Sequence, residues 1–139
     1  MKKIENYAGS LSVLERADFT KVSDDEIYRM GVIGQFNLTF ELAWKALREI
    51  LRQNGISAAD IGSPRDILKL SYEAHLLDDQ EQWLLMLKKR NDSIHIHDEE
   101  EIDELMILIK DSFIPALKRL RGKLMEEVRK LDESSEYNA

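Results

Sequence analysis

The sequence predicts an all-α protein, an antiparallel up-and-down bundle of about five helices. Apolar residues recur at spacings of three and four through most of the chain. Capping and stop residues punctuate those runs, and the alternation that marks strands is nearly absent. At 139 residues the chain fits one domain, placed here at residues 1–133, with a frayed tail over residues 134–139.

The first helix is expected over residues 2–18, with Leu11, Leu14 and Ala17 inward. Ser23-Asp24-Asp25-Glu26 reads as a capping box, in which the serine hydroxyl accepts a first-turn amide and Glu26 reaches back. Ile33, Phe36, Phe40, Ala43, Leu47 and Ile50 follow at helical spacing as far as Asn54-Gly55, where glycine can take positive φ and stop the helix. Trp44 and Leu51 widen this apolar stripe, so the helix is either central or covered on a second side by another subunit.

Ser63-Pro64-Arg65-Asp66 starts the next helix, with proline where its missing N–H costs nothing. That helix ends near His75. Asp78 or Asp79 caps another through Trp83, Leu84, Met86 and Leu87, bringing Lys88-Lys89-Arg90 to its C-terminal end, where cations complement the helix dipole. A second capping box, Asp98 to Glu101, opens the longest apolar repeat, Ile102 to Leu124. Pro115 lies inside it, which predicts a kink near residues 109–112 or a break into two helices.

Composition narrows the function classes. Charged residues make up 34% and hydrophobic ones 43%, with two prolines and six glycines, a balance of soluble helical proteins rather than disordered ones. The absence of cysteine excludes disulfides, thiolate catalysis and cysteine-ligated zinc, and fits a reducing cytoplasm. Neither a secretory leader nor an apolar run long enough for a bilayer is expected. A net charge of −7 disfavours a broad nucleic-acid binder, yet Lys88-Lys89-Arg90 allows a small phosphate site, and a basic protein partner is equally compatible.

One segment gathers groups suited to chemistry: Arg90-Asn91-Asp92-Ser93-Ile94-His95-Ile96-His97, followed by acidic residues 98–101. Positions five apart on an α-helix differ by about 140° in azimuth, so Arg90 and His95 would not share a face if one helix ran through both. Asn91-Asp92-Ser93 favours a turn, which would place Arg90 at a helix end and bring His95 back toward it. A guanidinium clamps phosphate through paired donors, and an imidazole moves a proton near neutral pH. Together they suit metal-independent transfer at a phosphodiester, His95 as acid or base and Arg90 stabilising transition-state charge.

The plainer reading makes Arg90 a dipole partner and His95 a cap. A metal reading of His95, His97 and Asp98 is disfavoured, because no second cluster supplies ligands; no cofactor is expected. His75 reads as a helix-end residue. Glu41 and Lys45 read as a helix ion pair worth a few tenths of a kcal/mol, and Trp44 as core or dimer packing.

Arg90, Asn91 and, after three residues, His95 resemble the R-x4-6-H motif of the HEPN superfamily. More narrowly, the chain resembles the nucleotidyltransferase substrate-binding proteins. Residues 36–45, Ser63-Pro64-Arg65, and Leu77-Asp78-Asp79 through Trp83 and Met86 are similar to successive blocks of that family, across roughly residues 5–125. The resemblance implies a homodimer with two motifs facing one groove, and a partner, a separately encoded minimal nucleotidyltransferase.

In many members the helical subunit is a ribonuclease toxin and the nucleotidyltransferase its antidote. By position, Arg90 would be the phosphate clamp, His95 the acid–base residue and Asn91 a group orienting the motif; Lys89, Asn91 and His97 beside them are the candidate substrate-binding residues. Toxin members place a tyrosine, the target of adenylylation, where this chain has His97. A phosphoramidate on imidazole is labile in acid and a poor permanent block, so steric regulation or an accessory role fits this member better.

Three functions follow: a partner subunit binding nucleotide or RNA phosphate around Arg90 and His95, a metal-independent endoribonuclease, and a non-catalytic dimeric scaffold.

Overall fold

The computed structural model describes residues 1–96 and 98–138, with side chains through Ser135. It is an all-helical bundle: α1 (Lys2–Glu15), α2 (Glu26–Gln53), α3 (Pro64–Glu73), α4 (Gln80–Asp92), α5 (Glu99–Leu108) and α6 (Ile114–Asn138). Because a π-turn over Ile109–Phe113 runs α5 into α6, the six segments make five rods. No helix among the described residues is long and apolar enough to cross a membrane.

The 28 residues of α2 make a rod of about 42 Å at ~1.5 Å per residue. It is the hub, packing against α1, α3, α4 and α6. Its fully buried Phe36 stacks on Phe113 of the π-turn at 5.2 Å between ring centroids. Phe40, one turn on, meets Trp83 of α4 at 6.2 Å. Aromatic contacts thus join the helix that follows the candidate motif to the one that precedes it. At the other side of the bundle Tyr7 donates a 2.5 Å hydrogen bond to the Leu117 carbonyl, and burial pushes its phenol pKa well up.

The helix ends show where local sequence decides and where it does not. Ser63 caps α3 in the expected reciprocal box with Asp66. Asp79, not Asp78, caps α4. The predicted start of α2 at Ser23 is two residues early: Asp25 is the cap, accepting from the Tyr28 amide at 3.0 Å. The Tyr28 hydroxyl accepts from the Asp18 amide at 2.7 Å, and this tether holds the preceding turn out of the helix. At α5 only half of the expected box forms, Asp98 accepting from the Glu100 amide.

Pro115 behaves as its chemistry requires. It has no N–H for an intrahelical bond, and its ring crowds the carbonyl four residues back. The chain widens instead: the Ile114 amide reaches five residues back to Ile109, and the helix continues through the proline. The expected irregularity is therefore a π-turn, not a break.

α2 and α3 both stop in Schellman motifs. For α2 the Ile56 amide bonds Leu51 and the Gly55 amide bonds Arg52, with Gly55 at φ 80°. For α3 the same pattern joins Leu76 to Ser71 and His75 to Tyr72, so His75 sits at φ 63°, where glycine is favoured. His75→Gly is therefore expected to raise stability by about 0.5–1 kcal/mol, read as a higher urea midpoint at unchanged slope. A lower midpoint would mean that the imidazole makes a contact outweighing its backbone strain.

Candidate functional site

Arg90 follows Trp83, Met86 and Leu87 on the inward face of α4, so its side chain continues the core stripe toward α2. The predicted helix end at Arg90 is two residues early. A Lys88–Asp92 pair at 2.7 Å holds the next turn helical, and a single turn of 3-10 helix, Ser93–His95, follows. The expected turn at Asn91-Asp92-Ser93 therefore falls later, and Arg90 lies inside the last turns of α4 rather than at its end.

On α2 Glu41 meets Arg90, and Asn37, Glu41, Trp44 and Arg48 follow one another at spacings of four, three and four along one side of the helix. One carboxylate oxygen of Glu41, Oε2, accepts from Arg90 Nη2 and from Trp44 Nε1, the latter at 3.0 Å. The other faces Lys45 Nζ at 3.4 Å, the helix pair read from sequence. Arg90 Nη1 donates to Asn91 Oδ1 at 2.9 Å. Trp44 is 8% exposed, with the Arg48 guanidinium 5.1 Å from its ring centroid, so it packs at the core edge rather than offering a free face.

The Glu41 carboxyl pKa lies below the ordinary range. Partial burial pushes it up, but the Trp44 hydrogen bond, the Arg90 charge and Lys45 together outweigh that effect. Because the folded-state pKa is depressed, the pairing stabilises the fold fully above the unfolded carboxylate pKa. That contribution is lost as pH falls through the folded value. A carbon-detected NMR titration is expected to place the Glu41 midpoint below that of an ordinary glutamate, and to move it upward in Arg90→Ala. An unmoved midpoint in that variant would mean that Arg90 does not hold the carboxylate in solution.

His95 ends the 3-10 turn exposed, and among the described residues no hydrogen bond or ion pair joins it to Arg90. The fold thus brings the two to the same end of α4 without direct contact. The Asp92 carboxyl, three residues before His95, is held low chiefly by its hydrogen bond from Lys88, with the charges of Lys88, Lys89 and His95 adding. Lys89 is half-buried and pairs with no described residue. Asn91 is exposed. His97 falls outside the described residues.

The segment that carries His95 is fastened to α2 at both ends. Ser93 is buried; its hydroxyl donates to the Arg90 carbonyl at 2.7 Å and accepts from Asn37 Nδ2 at 2.9 Å. Glu99, the first residue of α5, takes two hydrogen bonds from the buried Arg29, at 2.9 and 3.0 Å.

Sequence reasoning did not find Asn37 or Arg29 as parts of the site, took Ser93 only as a turn former, and gave Glu41 only a helix ion pair. The signal for the three α2 residues was the polar character of positions spaced like core residues along that helix.

The motif occupies open surface. A depression of about 540 Å³ beside α4 is lined by Arg65, Leu84, Lys88, Asn91 and Asp92, not by Arg90 or His95. Among the described residues, no three of His, Cys, Asp or Glu gather as a metal site would require. The arrangement offers a guanidinium already holding an anion and, on the following 3-10 turn, an exposed imidazole.

Comparison with known proteins agrees with this architecture. Residues 2–126 match the family described as nucleotidyltransferase substrate binding protein like. The chain is 32% identical over 102 residues to a Haemophilus influenzae protein named probable ribonuclease HepT, covering 67% of each. Its fold is similar to that of a solved structure from Haemophilus influenzae described as a substrate-binding domain of a nucleotidyltransferase. The TM-score is 0.76 and the identity 24%, over 88% of this chain and 98% of the other. A Thermus thermophilus protein of solved structure is similar at TM-score 0.70 and 24% identity, over 85% and 98%. With the family matched from α1 into α6, the chain belongs to the nucleotidyltransferase substrate-binding proteins.

Proposed function

We propose that this chain is the helical partner subunit of a two-component nucleotidyltransferase system and that Arg90 and His95 form its phosphate-handling site. The observation that carries this reading is the Arg90–Glu41 pair: the guanidinium in the last turns of α4 already holds a carboxylate. A nucleotide or RNA phosphate would take the same donors, since both anions match the guanidinium fork.

The subunit works as a homodimer. Ile27, Met30 and Leu38 of α2 are 86%, 49% and 50% exposed along one stripe. Between them Gly31 and Gly34 leave open space where a Cβ would stand, room for a second helix to approach closely. Apolar surface on this scale is what an interface covers.

The test is co-expression with a minimal nucleotidyltransferase sought in the neighbourhood of this gene, followed by size-exclusion chromatography. A stable complex containing two copies of the helical chain is expected, lost or weakened in Leu38→Asp. A monomer that captures no nucleotidyltransferase would overturn the reading.

A second reading, metal-independent RNA cleavage, is favoured by the accessible His95 imidazole and by the likeness to a protein named as a probable ribonuclease. His95 would take the proton of the 2′-hydroxyl as that oxygen bonds to phosphorus. The 5′-oxygen would leave, protonated by an imidazolium, and Arg90 would stabilise the charge on the phosphorane. The products are a 2′,3′-cyclic phosphate and a 5′-hydroxyl.

A further inference from the structure

We propose that the Arg29–Glu99 pair is a positioning device for His95, fixing the far end of the segment that carries it. The inference rests on the reading of His95 as the acid–base residue of the site.

Arg29 is anomalous in the core. It sits on the same stripe of α2 as Ile33, Phe36 and Phe40, is 6% exposed, and its Nε is buried without a hydrogen-bond partner. Replacing such an arginine by an apolar residue of similar volume is often neutral or stabilising, because desolvating a guanidinium cancels much of the Coulomb gain. Stability alone therefore gives no reason for an arginine at this position. Its chosen partner does. Glu99, Glu100 and Glu101 all lie in the first turn of α5 and all complement the helix dipole, yet Arg29 grips Glu99, the one adjoining the motif segment.

The geometry makes a two-point clamp. Asn37 holds Ser93, and Arg29 holds Glu99. Arg29 and Asn37 are eight residues apart on one helix, about 12 Å along a rigid axis. The two points anchored to α2 thus flank His95 in the chain, with His95 two residues from the first. Because His95 makes no hydrogen bond to a described residue, its place follows from the backbone on either side of it. Release of either end would leave Arg90 and its carboxylate partner in place and let His95 wander.

The test compares Glu99→Gln and Arg29→Met with Glu100→Gln, which removes a neighbouring carboxylate that Arg29 does not touch. Amide hydrogen exchange over residues 93–96 is expected to rise at least tenfold in the first two variants. Core amides at Leu47 and Ile50 are expected to stay within twofold of wild type, and the His95 ring resonances to shift. Glu100→Gln is expected to change none of these. Where RNA cleavage is measured, kcat is expected to fall at least tenfold with KM within twofold.

Glu99 is mostly exposed, so Glu99→Gln tests the idea even if Arg29→Met disturbs the core. Unchanged exchange and His95 resonances in Glu99→Gln, or a rise spread evenly over the whole bundle, would overturn the proposal. Absence of cleavage by wild type, with the local exchange result holding, would count against the ribonuclease reading and leave the clamp standing.

Discussion

His95→Ala is expected to lower RNA cleavage in EDTA by about 10²–10⁴-fold, the usual worth of a positioned acid–base group, while leaving the melting temperature unchanged. The contrast is the informative part. His95 is exposed and engages no described residue through a hydrogen bond, so its removal takes nothing from the fold; surface substitutions of this kind stay within about 0.5 kcal/mol. Loss of activity without loss of stability assigns the imidazole to the reaction.

Arg90→Ala should lower cleavage as well, but with a melting shift, because it strips Glu41 of a partner and leaves a half-buried carboxylate with only Trp44 and Lys45. Arg90→Lys keeps the charge and loses the planar fork, so it should recover stability better than activity. Chelator and freshly repurified protein guard against contaminating nucleases. Cleavage that survives in both folded alanine variants would remove the ribonuclease assignment altogether and leave the partner-subunit reading alone.

The contrast between His95 and Glu41 also shows what a sequence can disclose about this site. Arg90 and His95 were legible because they lie within one short run and because guanidinium and imidazole advertise their chemistry. Glu41 and Asn37 reach the motif, and Arg29 the helix start just after it, from 49, 56 and 70 residues along the chain, measured to Arg90, Ser93 and Glu99. No local pattern encodes such contacts; only the packing of α4 and α5 against α2 creates them.

The helix ends divide along the same line. Ser63-Pro64 and Gly55 specify their caps through their own backbone chemistry, and sequence reads them directly. The start of α2 does not follow from composition, because Ser23, Asp24 and Asp25 are all good caps. The choice falls to Asp25 through the Tyr28–Asp18 tether. The end of α4 was misplaced for a related reason. Asn91 and Asp92 favour turns, but the Lys88–Asp92 pair and the Ser93 bond to the Arg90 carbonyl carry the helix past them. Pro115 announced an irregularity; the packing of Phe113 on Phe36 accompanies its resolution as a π-turn.

That aromatic contact carries a large expected stability effect. Phe36→Ala should lower the unfolding free energy by about 3–5 kcal/mol, the usual cost of emptying a fully buried phenylalanine site. Phe36 has no exposed surface, stacks on Phe113 at 5.2 Å and lies 6.4 Å from Phe40. The void would open between α2 and the π-turn, where an already widened backbone has little freedom to collapse further. Against a total of about 5–15 kcal/mol for a domain of this kind, such a loss leaves a marginal fold. Urea denaturation is expected to show a much lower midpoint with an unchanged slope. Phe36→Leu, which keeps most of the volume, should cost less than half as much. A loss under about 1.5 kcal/mol in the alanine variant would fall in the range of volume-conserving core swaps, and would mean that the bundle closes over the site. Since α2 also carries Arg29, Asn37 and Glu41, any substitution at Phe36 loosens the rod from which the motif hangs. Activity measured on that variant would therefore report scaffold as much as chemistry, which is why the exposed His95 is the cleaner probe of function and the buried Phe36 the cleaner probe of fold.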